Sequence, residues 1–205
     1  MIAAIPSFAL GYLIGSFPTA FLLVKWTARL DIRVAGSGNV GALNAFDVTR
    51  SKLLGALVLL IDLAKGSAAV WADSMLFGHG LWIMGFAGLG SIAGHNYPVW
   101  LRFKGGRGLA TAAGVMLVLN WALVVLWCLA WLAMYAYTRS VHSANIAASI
   151  LSPALTLPAL RIVRPEAGGP ESVDCMLLMS MICLLILLRH LRYFAEFRKL
   201  FHTSR

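Results

Sequence analysis

The feature that most constrains this chain is a succession of apolar segments separated by short polar loops. Seven such segments can be drawn along the 205 residues, at 2–25, 53–73, 79–97, 107–119, 121–138, 144–161 and 173–190. A helix that crosses a bilayer untilted needs about 20 mostly apolar residues, and several of these segments are shorter. Because 60% of the residues are hydrophobic and only 12% are charged, we predict an all-α integral membrane protein whose single domain spans residues 1–205.

The segments 107–119 and 121–138 are ambiguous, since they form either one long helix or two short helices broken near Asn120. Loop charge favours two helices, because Lys and Arg accumulate in cytoplasmic loops. Seven spans with the N-terminus outside place 14 of the 17 cations in the cytoplasm. These cations are Lys25, Arg29, Arg33, Arg50, Lys52, Arg102, Lys104, Arg107, Arg139, Arg189, Arg192, Arg198, Lys199 and Arg205. We therefore predict seven transmembrane helices, some of them short, with the N-terminus outside and the C-terminus cytoplasmic.

The net charge of +9 has two readings. In a soluble protein it would suggest a nucleic-acid partner. Here the cations are spread over the loop ends of several helices, and no soluble module presents them. The charge is therefore better explained by the cytoplasmic loops of a membrane protein, and we predict no nucleic-acid partner.

Polar residues concentrate on the predicted cytoplasmic face. Four loop segments there are rich in Gly, Ser, Asn or His, at 36–52, 94–108, 139–145 and 189–193. The outside segments lack such clusters. Transporters usually bind their substrates near the bilayer midplane, so a site formed by polar loops on the cytoplasmic face argues against transport.

The loop GSGNVGALN, Gly36 to Asn44, has the composition of an oxyanion site. The glycines of this loop let the backbone adopt positive φ, which can turn N–H groups toward a ligand. Ser37, Asn39 and Asn44 add hydroxyl and amide groups. A flexible re-entrant loop is the alternative. The Lys-Ser/Thr pair of a P-loop is missing.

The segment GHNYPVWLRFKGGRG, Gly94 to Gly108, combines His95 with cations and glycines. Lys104 and Arg107 flank Gly105-Gly106, where a ligand can approach the bare backbone. The helix predicted to follow adds the partial positive charge of its N-terminus. A positive-inside anchor would explain the charges but not the glycines between them, so the pattern favours a phosphate site.

Ionisable groups occur at three further places. Asp62 and Lys65, in DLAKG, are three residues apart on one predicted helix face, which favours a structural ion pair near the site and leaves a proton relay as the alternative. RSVHSAN and RHLRY bring His142 and His190 to the cytoplasmic ends of two spans. With His95 they could form a metal site, but the accompanying ligand spacing and carboxylates are missing, so we predict no metal.

The order of these motifs resembles one known family. GSGNxGAxN, DLxKG, GHxxPxxxxFKGGxG and a late Arg-His pair, together covering nearly the whole chain, are similar to the bacterial acyl-phosphate:glycerol-3-phosphate acyltransferases of the PlsY family. The resemblance implies transfer of a fatty acyl group from acyl phosphate to the 1-hydroxyl of glycerol 3-phosphate, giving lysophosphatidic acid and phosphate. It also implies a multi-pass protein of the bacterial inner membrane with a cytoplasmic active site, needing no cofactor. We expect it to be monomeric.

The motifs and the resemblance together give a set of predicted site residues. Ser37, Lys104 and the glycine backbones would hold phosphate, His95 would orient the acceptor, and His190 would support the site. The predicted catalytic residues are Ser37, His95, Lys104, His142 and His190. The predicted substrate- and phosphate-binding residues are Gly36, Gly38, Asn39, Asn44, Arg50, Gly105, Gly106, Arg107, Ser143, Asn145 and Tyr193.

The sequence also departs from the family pattern. Leu43 stands where the family has Thr, and Asp47 where it has a phosphate-binding Arg, although Arg50 lies nearby. A Ser-x-x-Ser motif is replaced by His142 and Asn145 with Ser143 adjacent, and Tyr193 replaces an Asn. Two alternatives therefore stay open. One is a related acyltransferase with a different small polar acceptor, and the other is a non-catalytic membrane protein that binds lipid or phosphate.

Overall fold

The computed structural model describes residues 3–163 and 170–194. Over these residues the chain forms nine α-helices and no β-strand. They are α1 Ala4–Gly15, α2 Thr19–Ala28, α3 Ala42–Thr49, α4 Lys52–Phe77, α5 Leu81–Asn96, α6 Leu109–Leu119, α7 Trp121–Thr138, α8 Val141–Val163 and α9 Pro170–Leu188. Three of the cations predicted to be cytoplasmic, Arg198, Lys199 and Arg205, lie outside the described residues.

The all-α prediction is confirmed for the described part of the chain, together with its membrane character. Five regions there are long and apolar enough to cross a membrane. They are Ala4–Ala28, which combines α1 and α2, Lys52–Phe77, Trp121–Thr138, Val141–Ile162 and Glu171–Leu188. With 16 and 11 residues, α5 and α6 are shorter. A count of seven spans and the orientation of the termini stay predictions.

The ambiguous segment 107–138 forms two helices. Helix α6 ends at Leu119 and α7 begins at Trp121. Between them Asn120 has extended backbone, and its Oδ1 accepts a hydrogen bond of 3.0 Å from Ala122 N–H. Asn is a preferred N-cap because its side chain satisfies one of the N–H groups that a helix start leaves unpaired. The same place separates two compact units, Met1–Leu119 and Asn120–Arg205. The single domain over residues 1–205 stays a prediction.

In the first unit, α1 and α5 pack closely through small residues. Each helix carries two glycines four residues apart, so both lie on one helix face. They are Gly11, Gly15, Gly90 and Gly94. A Cβ atom added at any of the four would collide with main-chain atoms of the opposite helix. Small residues allow this approach between membrane helices. The contact positions the end of α5, where His95 lies.

The first apolar segment is interrupted near Pro18. Helix α1 ends at Gly15 and α2 begins at Thr19, because proline lacks the N–H that would continue the helical hydrogen bonds. The carbonyl of Phe17 lies at this break and accepts a hydrogen bond of 3.1 Å from Lys65 Nζ on α4. The interruption thus gives a buried lysine an oxygen partner.

In the second unit, two tryptophans of α7 are hydrogen-bonded to polar side chains of α8. Trp127 Nε1–H donates to Ser149 Oγ at 3.2 Å, and Trp131 Nε1–H donates to Asn145 Oδ1 at 2.7 Å. Trp127 and Trp131 are four residues apart in α7, and Asn145 and Ser149 are four residues apart in α8. The two bonds therefore lie one helical turn apart along both helices. They fix the register of α7 against α8.

Candidate functional site

The glycine-rich loop before α3 is organised by Asn44. This side chain is 1% exposed. Its Oδ1 accepts from Ser37 N–H at 2.9 Å. The two N–H groups of its Nδ2 are shared among the carbonyls of Ile32, Ala35 and Asn39, at 3.2, 3.1 and 2.9 Å. Asn44 therefore holds both ends of the loop, a role that the spacing of the motif did not indicate.

Glycine is required at two positions of this loop. Gly36 and Gly38 have φ of +57° and +70°, in the left-handed region that favours glycine. A Cβ on Gly36 would also collide with Asn44 Oδ1. The N–H groups of Ser37, Gly38 and Asn39 donate to partners within the loop and its scaffold. The exposed Ser37 hydroxyl is thus presented to solvent on a fixed backbone.

An ion pair fixes the chain just before the loop. Arg33 Nη2 lies 2.7 Å from Asp31 Oδ2, and Arg33 Nε also contacts this carboxylate. The guanidinium hydrogen bond lowers the pKa of Asp31 to about 2. The same guanidinium lies 4.9 Å from the ring centre of Phe21. Arg33 is therefore engaged by a carboxylate and an aromatic ring at the entrance to the loop.

The segment after α5 has an exposed tip and a buried base. Arg102, Phe103 and Lys104 are exposed, whereas the residues from Gly105 to Gly108 are buried. Arg102 and Phe103 both have positive φ, of 52° and 61°, which is uncommon for residues with side chains. Consecutive left-handed residues reverse the chain, and Lys104 follows directly on the exposed tip. Arg107 is 9% exposed and lies two residues before the start of α6.

The two glycines of this segment lie against the end of α5. Gly106 N–H donates to the carbonyl of His95 at 3.0 Å. A Cβ on Gly106 would collide with the His95 ring and lie 2.7 Å from Val40 O. A Cβ on Gly105 would collide with the main chain at His95. The backbone therefore passes next to the imidazole because no side chain separates them.

A buried charge cluster lies beneath this segment. Lys65 Nζ is 2.9 Å from Asp62 Oδ1, so the two residues of DLAKG pair along one face of α4. His95 Nδ1 is 3.7 Å from the same oxygen. All three side chains are at most 8% exposed. Buried charges are stable only when they are paired and hydrogen-bonded, and here the carboxylate faces both Lys65 and His95.

A small cavity adjoins the cluster. Its volume is about 10 Å³, roughly the space for one water molecule. Ser16 and Thr19 line it together with Asp62, Lys65 and His95. Within the described residues the hydroxyls of Ser16 and Thr19 have no hydrogen-bond partner. A water molecule in this cavity would have several polar groups to bind, so the geometry suits an ordered water.

A separate cluster lies in the second unit and contains the predicted site residues of that unit. The rings of His142 and Tyr193 stack, with their centres 3.8 Å apart. His190 is buried, with Nε2 3.3 Å from Asn145 Nδ2. Ser143, two residues before Asn145 in α8, is also buried. The two positions at which ring residues replace the family's Ser and Asn are thus in contact with each other.

The two departures from the family pattern in α3, and Arg50 just after the helix, lie on its open face. Leu43, Asp47 and Arg50 are exposed, and their spacing of four and three residues places them on one side. Arg50 ends the helix with a φ of 55°. Leu43 also lines an apolar groove of about 360 Å³ between α3 and α4. These departures from the family pattern therefore leave the buried scaffold of Asn44 unchanged.

Within residues 3–163 and 170–194 no group of three or more His, Cys, Asp or Glu side chains could hold a metal ion. The cluster around Asp62 instead pairs a carboxylate with a lysine and a histidine. This arrangement can hold and orient polar groups but lacks the ligand set of a metal centre.

Known proteins match both the sequence and the fold. The family model for glycerol-3-phosphate acyltransferase matches residues 5–200. A glycerol-3-phosphate acyltransferase of Erythrobacter litoralis is 42% identical over 147 residues, which are 71% of this chain and 73% of that protein. One of Myxococcus xanthus is 42% identical over 139 residues, 68% of this chain and 72% of that protein.

Among solved structures, the chain is similar to PlsY, an integral membrane glycerol 3-phosphate acyltransferase, in its glycerol 3-phosphate form. The TM-score is 0.77 with 31% identity, and the match covers 96% of this chain and 92% of PlsY. The lysophosphatidic acid form of PlsY gives a TM-score of 0.76 at 32% identity, with the same coverage. The resemblance found in the motifs is therefore confirmed, and this chain belongs to the glycerol-3-phosphate acyltransferase family.

Proposed function

We propose that this protein transfers a fatty acyl group from acyl phosphate to the 1-hydroxyl of glycerol 3-phosphate. The hydroxyl oxygen forms an ester bond with the acyl carbon, the acyl–phosphate C–O bond breaks, and the hydroxyl proton leaves with inorganic phosphate. The product is lysophosphatidic acid. The observation that carries the proposal is the match to PlsY over nearly the whole chain, with the phosphate-type loops retained.

The first unit supplies the proposed phosphate sites. Ser37 and Lys104 are both exposed. Ser37 lies between two glycines with positive φ, and Lys104 follows two residues with positive φ. Gly105 and Gly106 bring the backbone next to His95, which orients the acceptor in this proposal. Arg107 adds a buried positive charge two residues before the start of α6, whose N-terminus favours an anion. Two anionic reactants are thereby attracted to one face.

The rate enhancement in this scheme comes from positioning and electrostatics. Holding two reactants together replaces a bimolecular encounter, and fixed cations stabilise the oxyanion that develops on the acyl carbonyl. A phosphate oxygen of the substrate takes the hydroxyl proton, so no protein nucleophile is needed. Asp62 and Lys65 have a supporting role, since their pairing holds a carboxylate beside His95.

The predicted residues of the second unit lie in α8 and after α9. We propose that they bind substrate, and they are His142, Ser143, Asn145, His190 and Tyr193. Asn145 has its oxygen engaged by Trp131, and its amide nitrogen lies 3.3 Å from His190 Nε2, so one amide N–H remains to face an anion. The stacked rings of His142 and Tyr193 present polar atoms at positions where the family has smaller side chains.

The proposed setting is a bacterial inner membrane with the site facing the cytoplasm. In this arrangement the chain is monomeric and crosses the bilayer seven times, with the N-terminus outside. The spans are α1 with α2, then α4 to α9. Because α5 and α6 are shorter than a bilayer is thick, their ends are covered by neighbouring polar loops. Cysteine labelling from each side of sealed vesicles tests this topology.

The direct test uses purified protein, palmitoyl phosphate and labelled glycerol 3-phosphate, with phosphate release followed with and without acceptor. Acceptor-dependent release with lysophosphatidic acid formed is expected. Lys104→Ala should lose at least about tenfold in kcat/KM, since a cation near phosphate contributes more than 1.4 kcal/mol. Arg102→Gln, which removes an exposed cation two residues away, is the matched control and should stay within twofold. Equal loss in both variants would contradict the phosphate role of Lys104.

A related acyltransferase with another small polar acceptor is the second candidate. The observation that favours it is the contact between His142 and Tyr193, at two positions where the chain departs from the family pattern. His142 and Tyr193 can exchange protons, whereas the Ser and Asn that they replace cannot. An acceptor without its own phosphate would need such a base from the protein. Hydrolysis of acyl phosphate without transfer to glycerol 3-phosphate in the direct test would favour this candidate.

A further inference from the structure

We propose that Trp131 is a positioning residue that fixes the tautomer and orientation of His190 through Asn145. The proposal rests on the proposed role of His190 in the site. Three side chains of the second unit form a continuous hydrogen-bonded chain. Trp131 Nε1 lies 2.7 Å from Asn145 Oδ1, Asn145 Nδ2 lies 3.3 Å from His190 Nε2, and His190 Nδ1 lies 2.8 Å from Ile186 O.

The direction of this chain is set by the indole. A tryptophan N–H can only donate a hydrogen bond. The atom of Asn145 that faces Trp131 must therefore be its oxygen, and its amide nitrogen must face His190. An asparagine side chain alone would not reveal its orientation, because its O and N atoms look alike. The contact with Trp131 removes this ambiguity.

The tautomer of His190 follows from the orientation of Asn145. Because Asn145 Nδ2 donates, His190 Nε2 has to accept and carries no proton. His190 Nδ1 faces the carbonyl of Ile186, which can only accept, so Nδ1 carries the proton. The ring is 0% exposed, and both nitrogens have partners with matching roles. These contacts place a proton on Nδ1 and leave Nε2 as a hydrogen-bond acceptor.

This arrangement gives His190 a fixed orientation in the site. Its Nε2 lone pair is already occupied by Asn145, and its proton is bound to the carbonyl of the preceding helical turn. The indole of Trp131 is itself held by stacking on Tyr135, with ring centres 4.9 Å apart and planes within 5°. The result is a rigid ring that shapes the site around His142 and Tyr193 without exchanging a proton.

The chain offers a matched control one helical turn away. Trp127 Nε1–H donates to Ser149 Oγ at 3.2 Å, between the same two helices. Trp127→Phe and Trp131→Phe therefore remove the same kind of bond from α7, but only the second removes the donor that orients Asn145. A merely structural effect on helix packing should appear in both variants. An effect on His190 should appear in Trp131→Phe alone.

The first readout is the tautomer, measured on the full-length protein with ¹⁵N-labelled histidine. The His190 signals are assigned by their loss in His190→Gln. We expect the unaltered protein to carry the proton on Nδ1. In Trp131→Phe the Nε2 signal should shift toward the protonated form, because Asn145 can then turn its oxygen toward Nε2, and in Trp127→Phe it should not shift. A proton on Nε2 in the unaltered protein, or unchanged signals in Trp131→Phe, overturns the proposal.

A second variant keeps the test valid if Trp131→Phe does not fold. Asn145→Asp retains the shape and the acceptor for Trp131, but it presents an oxygen to His190 Nε2. Nε2 should then carry a proton that it donates to the carboxylate, while Nδ1 keeps the proton that faces the carbonyl of Ile186. An unprotonated Nε2 in Asn145→Asp overturns the proposal equally well.

The second readout is acyl transfer. Losing one neutral hydrogen bond corresponds to a factor of about 2–10, so Trp131→Phe should lose about that much in kcat/KM while Trp127→Phe stays within twofold. A changed tautomer with full activity would overturn the positioning role. The tautomer measurement does not depend on the substrate. If the unaltered protein does not transfer an acyl group to glycerol 3-phosphate, only the proposed function is refuted. The proposal for Trp131 is still decided by the tautomer measurement.

Discussion

Asn44 offers the sharpest test of how the phosphate loop is built. Its carboxamide makes four hydrogen bonds, one from Ser37 N–H and three to main-chain carbonyls. Asn44→Ala leaves these four buried or half-buried groups without their partner. At about 0.5–1 kcal/mol each, the free energy of unfolding should fall by about 2–4 kcal/mol. For a chain of this length that corresponds to a decrease in Tm of roughly 5–15 °C.

The measurement is thermal unfolding in detergent followed by circular dichroism, combined with amide hydrogen exchange of residues 32–44. Exchange should accelerate in this loop first, because its N–H groups lose the scaffold that protects them. The matched control is Asn120→Ala, which removes a single hydrogen bond to Ala122 N–H and should lower stability by about 1 kcal/mol. The scaffold role of Asn44 is refuted if both alanine variants unfold at the same temperature and loop exchange is unchanged.

Three further predictions concern the site. Gly106→Ala should lower kcat/KM at least tenfold with little loss of helix content, because the added Cβ meets the imidazole at the end of α5; unchanged kinetics would contradict that contact. Lys65→Met should lower the free energy of unfolding by about 3–5 kcal/mol because it leaves a buried carboxylate without its lysine, and adding Asp62→Asn should recover part of this loss in a thermal melt. His142→Ser and Tyr193→Asn should be non-additive, since the rings stack; a coupling energy of zero in a double-mutant cycle of kcat/KM would show that they act independently.

The sequence by itself determined the membrane class of the protein, its all-α character and its family. Apolar segment length predicts membrane helices because a bilayer admits only backbones whose hydrogen bonds are satisfied internally. The end of α6 and start of α7 were predictable for a local reason, since Asn120 bonds to a residue only two positions away. The glycine-rich loop before α3 was likewise readable, although only the structure shows that Gly36 and Gly38 have positive φ whereas Gly41 is extended. The motif order then identified the family.

The tertiary structure decided which atoms these residues use. Lys65 pairs with Asp62 within one helix turn, as spacing predicts, but its bond to the carbonyl of Phe17 joins residues 48 positions apart. Trp131 received no role from the sequence, since an interfacial tryptophan on a membrane helix is common. Its function depends on the register of α7 against α8. Local propensity is encoded along the chain, whereas hydrogen-bond partners across helices exist only once close packing has set the distances.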